Sequence, residues 1–181
     1  MSGLFTPARL IGLGLALTLF AMDQWVKAYV VGPLNLRSLR HIDLLPFFDL
    51  TYVENRGISL GMLQATNMEM RWLLVGLTAL IALVVLIWMM RERKFGDIFG
   101  LSLILGGALG NIVDRYTLGY VIDYADFHIG TFRPFLVFNI ADAAITIGVV
   151  IILSRSFFVR DKEDNQDTDE TAENGPVPAE K

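Results

Sequence analysis

The sequence predicts a mainly α membrane protein: four transmembrane helices carrying a small β-sheet platform on one side, followed by a disordered acidic tail. Three observations predict it. The 181-residue chain is 54% hydrophobic with a mean hydropathy of +0.50, too apolar for an ordinary soluble domain. Apolar runs long enough to cross ~30 Å of hydrocarbon occur four times. The formal charge of −4 is gathered at one end, because residues 161–181 hold eight acids against Lys162 and Lys181. A polar, aromatic-free segment of that kind buries too little apolar area to order itself. The membrane unit is expected to cover 1–160, with outer segments 32–65 and 116–134, and the tail 161–181.

The first span runs from Ala8 to Val31. Within it Arg9 precedes the apolar run Leu10 to Met22 in the manner of a secretory leader, yet no small-x-small cleavage site follows, and Asp23, Trp25 and Lys27 continue a helical pattern. A retained helix is expected. The second, Arg71 to Met90, is preceded by Thr66-Asn67-Met68-Glu69, a T-x-x-E capping box, and ends in the basic turn Arg91, Arg93, Lys94. The third covers Phe95 to Asp114 and the fourth Phe135 to Ser154, the latter trailed by Arg155, Arg160 and Lys162. Basic residues at the second turn, after the fourth span and at Arg9 place both termini in the cytoplasm.

With four alternating spans, the unusual polar residues fall on one face: Asp23 and Lys27, then Asn111, Asp114 and Arg115, then Asn139 and Asp142. Asp142 is expected ~10 Å inside its helix end, from a rise of 1.5 Å per residue. Ionisable groups at membrane depth are costly and mark function. The inner halves of the spans are almost purely apolar, which argues against a transport pathway. Gly106, Gly107 and Gly110, with Ala141, Ala144 and Gly148, let helices approach closely. Trp25, Tyr29, Trp72, Tyr116, Tyr120 and Tyr124 are expected as interfacial anchors.

The outer segments read as strands. In 32–65, Leu50 and Tyr52 alternate with Asp49 and Thr51, and Gly57 and Gly61 mark turns. In 116–134, "GYVIDYADF" is strand-like and carries Asp123 and Asp126, between flanking Gly119 and Gly130 that suit a lid.

The chain has no cysteine, which removes thiol nucleophiles, disulfides and Cys-based metal sites. His41 and His128 lie far apart in sequence, outside any HExxH pattern, and GxSxG is absent. No metal or cofactor is expected, and both histidines are expected at the surface. What remains is a pair of carboxylates: close together they share one proton, so one member deprotonates a water while the other protonates the peptide carbonyl. Asp142 is the strongest candidate. Its partner comes from Asp23, Asp114, Asp123 or Asp126; of these, Asp114 and Asp23 suit internal ion pairs, and the residues alone do not choose between Asp123 and Asp126.

Four stretches in order carry a resemblance: "DQWVK" (Asp23–Lys27), "VENRGISLGML" (Val53–Leu63), "GGALGNIVDRYTLGYVIDY" (Gly106–Tyr124) and "FNIADAAI" (Phe138–Ile145). Over residues 8–156 the chain resembles signal peptidase II, the bacterial lipoprotein signal peptidase. The resemblance implies an aspartyl endopeptidase of the inner membrane. Its catalytic aspartates fall on Asp123 and Asp142, leaving Asp126 a surface acid. Asn55, Asn111, Arg115 and Asn139 match positions lining the substrate cleft, while Asp23, Lys27 and Asp114 support it. The implied substrates are diacylglyceryl-modified prolipoproteins, cut just before the lipidated cysteine at the periplasmic face. The implied partners are that substrate and membrane lipid, with no nucleic acid, and the protein is expected to act as a monomer. One departure is visible: Ile58-Ser59-Leu60 follows "N-x-G", where the family often has a small-aromatic run.

Overall fold

The computed structural model describes residues 6–57 and 68–158. The expected Gly61 turn, the Ile58-Ser59-Leu60 departure, the first half of the Thr66–Glu69 box and the tail 161–181 lie outside the described residues. Among the described residues there are four long helices: α1 (Pro7–Val31), α3 (Met68–Arg91), α4 (Phe95–Thr117) and α5 (Ile140–Phe158). All four are long and apolar enough to cross a membrane. A single turn, α2 (Leu36–Leu39), and strands β1 (His41–Leu45), β2 (Phe48–Asn55) and β3 (Val121–Phe127) complete the described fold.

α4 is the central helix, packed against α1, α3 and α5. Its glycines set how close those neighbours come. Gly106 lies against the Ala16 carbonyl, Gly107 against that of Ala141, and Gly148 of α5 against that of Gly100. Removing the β-carbon at such points lets helix backbones touch, which is how helices associate where lipid already solvates apolar side chains. The outward faces stay apolar: Leu10, Leu17, Leu73, Leu80, Ile81 and Val150 are exposed. Buried Arg9 reaches across one end of the bundle, its Nε donating to the Glu92 carbonyl at 3.1 Å.

At the other end sits the sheet, antiparallel, in the order β1-β2-β3. It rests on a second apolar core of Val30, Leu36, Tyr52, Ile122, Tyr124 and Ala125. Tyr124 therefore belongs to this core, at 6% exposure, and is not the expected anchor; Trp25, Tyr29, Trp72 and Tyr116 are exposed as anchors would be. The alternation read for β2 holds: Leu50 and Tyr52 both pack against this core, while Asp49 and Thr51 take the opposite face, where Thr51 bonds to Asp126. Asp49 is nonetheless buried, with His128 Nε2 2.8 Å from its Oδ2; further along β2 a bulge between Leu50 and Val53 shifts the register.

The fourth span was expected to begin at Phe135. Instead α5 starts at Ile140, because the chain before it joins the sheet: Phe138 accepts from the Ala125 amide at 2.8 Å and donates to the Ala125 carbonyl at 3.0 Å. That bridge brings the α5 N-terminus against β3.

Candidate active site

The bridge at Phe138 leaves Asn139 as the residue immediately before α5. Its Oδ1 accepts from the Asp142 amide at 2.9 Å, while the Asn139 amide donates to Asp142 Oδ2 at 3.3 Å. This reciprocal pair is a capping box with Asp in place of Glu. Asp142 thus lies in the first turn of α5, not ~10 Å inside it as its sequence position suggested. There the helix dipole favours negative charge.

With Asn139 Oδ1 committed to the Asp142 amide, its Nδ2 faces the other way. It donates to Asp123 Oδ1 at 2.7 Å, to the Ile122 carbonyl at 3.2 Å and to Asn111 Oδ1 at 3.3 Å. One fully buried side chain therefore touches both expected catalytic aspartates. Asn111 repeats the logic from α4. Its Oδ1 accepts from Lys27 Nζ at 3.2 Å, and lysine can only donate, so Nδ2 faces Asp142 Oδ1 at 2.8 Å.

Asp123 on β3 is buried, and its second oxygen accepts from Asn55 Nδ2 of β2 at 3.1 Å. Asn55 in turn accepts from the Gly57 amide at 3.2 Å. Burial, and then the neighbouring charge of Asp142, push the Asp123 carboxyl up to about 7. Arg115 projects from α4 beside this pair and donates to the Gly57 carbonyl at 3.3 Å, tying the end of β2 to the bundle.

Behind the two aspartates lies an ion network. Lys27 Nζ is 2.8 Å from Asp23 Oδ2 and 2.9 Å from Asp114 Oδ2, all three side chains being buried. The two acids also hold backbone: Asp23 Oδ1 accepts from the Ala141 amide at 3.1 Å, and Asp114 Oδ2 from the Ile122 amide at 3.2 Å. Those amides are the immediate neighbours of Asp142 and Asp123. Gln24 completes the network, its Nε2 donating to Asp114 Oδ1 at 3.0 Å and to the Gly110 carbonyl at 3.2 Å. Sequence reading passed over Gln24, which is an ordinary polar residue within "DQWVK"; its one signal was its place beside Asp23. Gly110 is needed here because a β-carbon would overlap Asp23 Oδ2.

All nine expected site residues thus converge. Asp126, read as a surface acid, is 2% exposed; it accepts from Thr51 Oγ1 at 2.9 Å and pairs with Arg133 at 3.1 Å. It belongs to the sheet and does not join Asp123 and Asp142. Next to Asp142 opens an apolar cleft of about 320 Å³ lined by Phe135, Leu136, Phe138, Ala143, Thr146 and Ile147.

A family model described as signal peptidase (SPase) II matches residues 15–158. The chain belongs to the signal peptidase II family. A lipoprotein signal peptidase of Sphingopyxis alaskensis is 48% identical over 167 residues, covering 92% of this chain and 96% of that protein. One from Rhizorhabdus wittichii is 51% identical over 153 residues, covering 84% and 89%. A solved structure described as a bacterial membrane enzyme superposes with a TM-score of 0.69 at 26% identity, covering 82% of this chain and 93% of the other. Within this family frame, the polar cluster of three membrane helices and the sheet is the place to look for the chemistry.

Proposed function

We propose that Asp123 and Asp142 form the catalytic dyad of an aspartyl endopeptidase that removes signal peptides from diacylglyceryl-modified prolipoproteins. The observation that carries this reading is Asn139 joined to both carboxylates at once, to Asp123 Oδ1 at 2.7 Å and through its backbone amide to Asp142 Oδ2. Membership of the signal peptidase II family supports the same reading.

In the working state the pair holds one proton. Asp123, with its raised pKa, carries it as a carboxylic acid; Asp142, at a helix N-terminus, supplies the carboxylate. Asp142 removes a proton from a water, whose oxygen bonds to the scissile carbonyl carbon. Asp123 simultaneously gives its proton to the carbonyl oxygen, producing a neutral gem-diol. Collapse then breaks the C–N bond: Asp142 gives its proton to the leaving amine while a gem-diol hydroxyl returns one to Asp123, leaving a carboxylic acid product and the starting proton count. Asn111 and Asn139 hold the two acids in place, and Arg115 with Asn55 lines the approach to the peptide backbone.

The apolar cleft beside Asp142 suits an acyl chain, and it opens on the lipid-facing side of α5 through Thr146 and Ile147. Exposed Phe135 and Leu136, with Ile129 and Phe132 beyond β3, supply the covering segment of the region read as a lid. Arg91, Arg93 and Arg155 at the opposite end of the bundle support cytoplasmic termini and a periplasmic site in the inner membrane. The enzyme works as a monomer on lipid-embedded substrate.

The test is incubation of purified Asp123→Asn and Asp142→Asn proteins with a lipidated precursor, with both products followed by mass. Both variants insert and fold, and neither cleaves. Full cleavage by either one removes the dyad.

A further inference from the structure

Among the described residues, α3 is the one long helix that gives no side chain to the polar cluster. Asp23 and Lys27 come from α1, Asn111, Asp114 and Arg115 from α4, and Asp142 from α5. α3 reaches the cluster from outside, through Arg71 in its first turn. Arg71 Nε donates to the Arg115 carbonyl at 3.0 Å, and its Nη2 donates to the Tyr116 carbonyl. Both carbonyls lie at the C-terminal end of α4, next to Asp114.

The last carbonyls of a helix have no partner within it and are satisfied from elsewhere. On α4 the Asp114 carbonyl takes the Leu118 amide at 2.7 Å, and the Arg115 carbonyl takes the Gly119 amide at 3.1 Å. The helix stops there, because Gly119 has a φ of +86°, the left-handed conformation favoured just past a helix end. Tyr116 is one residue further along, and Arg71 is the donor its carbonyl meets. A guanidinium suits this place. Its planar fork offers two donors side by side to successive carbonyls, and its charge favours the negative end of the helix dipole. Arg71 is partly buried over the turn; a β-carbon on Gly119 would lie 3.4 Å from its Nη1. The guanidinium also stands 5.6 Å from the Trp72 ring centre, and Trp72 meets Tyr116 edge to face at 5.7 Å. Hydrogen bonds and rings together fix this turn to α3.

Arg115 is therefore held at both ends. Arg71 pins its carbonyl, while its Nη2 donates to the Gly57 carbonyl at 3.3 Å and its Nη1 to the Asn111 carbonyl at 3.4 Å. A long side chain delivers its head group accurately only when the backbone it grows from is fixed. The two aspartates are held by other contacts, Asp123 by Asn139 and Asn55, Asp142 by Asn111 and the Asn139 cap. We infer that Arg71 is a positioning residue: through the Arg115 backbone it sets where the Arg115 guanidinium meets the peptide backbone of the substrate. This rests on the peptidase reading above, and it concerns substrate binding rather than proton transfer.

The test is steady-state cleavage of a lipidated precursor by the full-length protein in detergent, across pH, with melting temperatures alongside. Wild type, Arg71→Met and Arg71→Lys are compared, each also combined with Arg115→Ala. Arg71→Met raises KM about 10-fold, the worth of one hydrogen bond to a charged group, and changes kcat by less than about 2-fold. The alkaline limb of its pH profile stays in place, because Asp123 keeps its own partners. Arg71→Lys, a single-point donor, recovers part of the loss. With Arg115→Ala present, the Arg71→Met penalty disappears, as it does for two residues acting through one contact. Where Arg115→Ala leaves too little cleavage to measure, precursor affinity of Asp142→Asn proteins carrying the same substitutions gives the same cycle. If Arg71→Met does not fold, the cycle is read with Arg71→Lys. An equal penalty in both backgrounds overturns the inference, as does a loss of active protein and melting temperature with KM unchanged. A wild type that does not cleave removes the peptidase reading itself, whereas a cleaving wild type matched by Arg71→Met removes only the role of Arg71.

Discussion

Asn139→Ala is the substitution that separates positioning from packing at the proposed dyad. In the wild type, Asn139 Nδ2 donates to Asp123 Oδ1 at 2.7 Å, a charge-assisted bond worth ~1.5–3 kcal/mol to the ionised carboxylate. Removing it leaves burial and the charge of Asp142 less opposed, so the Asp123 pKa rises above about 7. At ~1.4 kcal/mol per unit the rise is about 1–2 units. Asp123 acts as the acid, so its loss of a proton ends activity on the alkaline side. That limb of the kcat/KM profile therefore moves about 1–2 units to higher pH. Asn139→Ala also removes the cap on the Asp142 amide, at a cost of ~1 kcal/mol in stability. Asn139→Ser keeps a capping oxygen and loses the Nδ2 bonds to Asp123, the Ile122 carbonyl and Asn111, as Ala does. The assay is lipidated-precursor cleavage across pH 5 to 9 for wild type and both variants, alongside their melting temperatures. Both variants shift the alkaline limb, but Ser restores the ~1 kcal/mol that the cap on the Asp142 amide supplies. A limb that stays in place while kcat falls uniformly, or wild-type behaviour in both, refutes the assignment of Asn139 and Asp123.

Other expectations follow from the same geometry. Because the Asp123 pKa is raised from an ordinary 3.8 to about 7, the folded protein holds a proton that the unfolded chain has lost; that stabilisation is complete below the ordinary value and disappears as pH rises through about 7. Thermal melts of wild type should therefore fall between pH 5 and 8, and those of Asp123→Asn should not. Lys27→Met strands Asp23 and Asp114 as unpaired buried carboxylates and destabilises by ~3–5 kcal/mol; adding Asp23→Asn and Asp114→Asn recovers much of it, read by urea or thermal unfolding in detergent. Gly110→Ala drives a β-carbon into Asp23 Oδ2, costing ~1–3 kcal/mol and lowering cleavage, whereas Gly14→Ala, with open space around it, leaves both unchanged.

The helices were the most legible part of the chain, since each is a long apolar run bounded by charges or turn residues. Three of the four begin or end within three residues of their expected limits. The fourth misled because Phe135-Leu136-Val137-Phe138 is as apolar as the helix it precedes, and hydropathy does not reveal that Phe138 hydrogen-bonds to Ala125. The same blindness placed Asp142 too deep. Strands were visible as segments, and the alternation of Leu50 and Tyr52 with Asp49 and Thr51 was legible, but not their pairing: nothing in the local pattern announces the bulge between Leu50 and Val53 or the burial of Asp49. Asp126 looked like a surface acid for the same reason, its partners Thr51 and Arg133 arriving from other parts of the fold.

Composition and order alone established that this is a four-span membrane protein without thiol chemistry, and that polar residues gather at one end. These are one-dimensional properties: an apolar run is expensive in water and a buried charge is expensive in lipid wherever they occur along the chain. Which carboxylates meet is a different matter. Asp123 reaches Asp142 through Asn139 because β3 pairs with β2 on one edge and with Phe138 on the other. Side chains interact through distances of about 3 Å, and only the closed backbone decides which ones come that near.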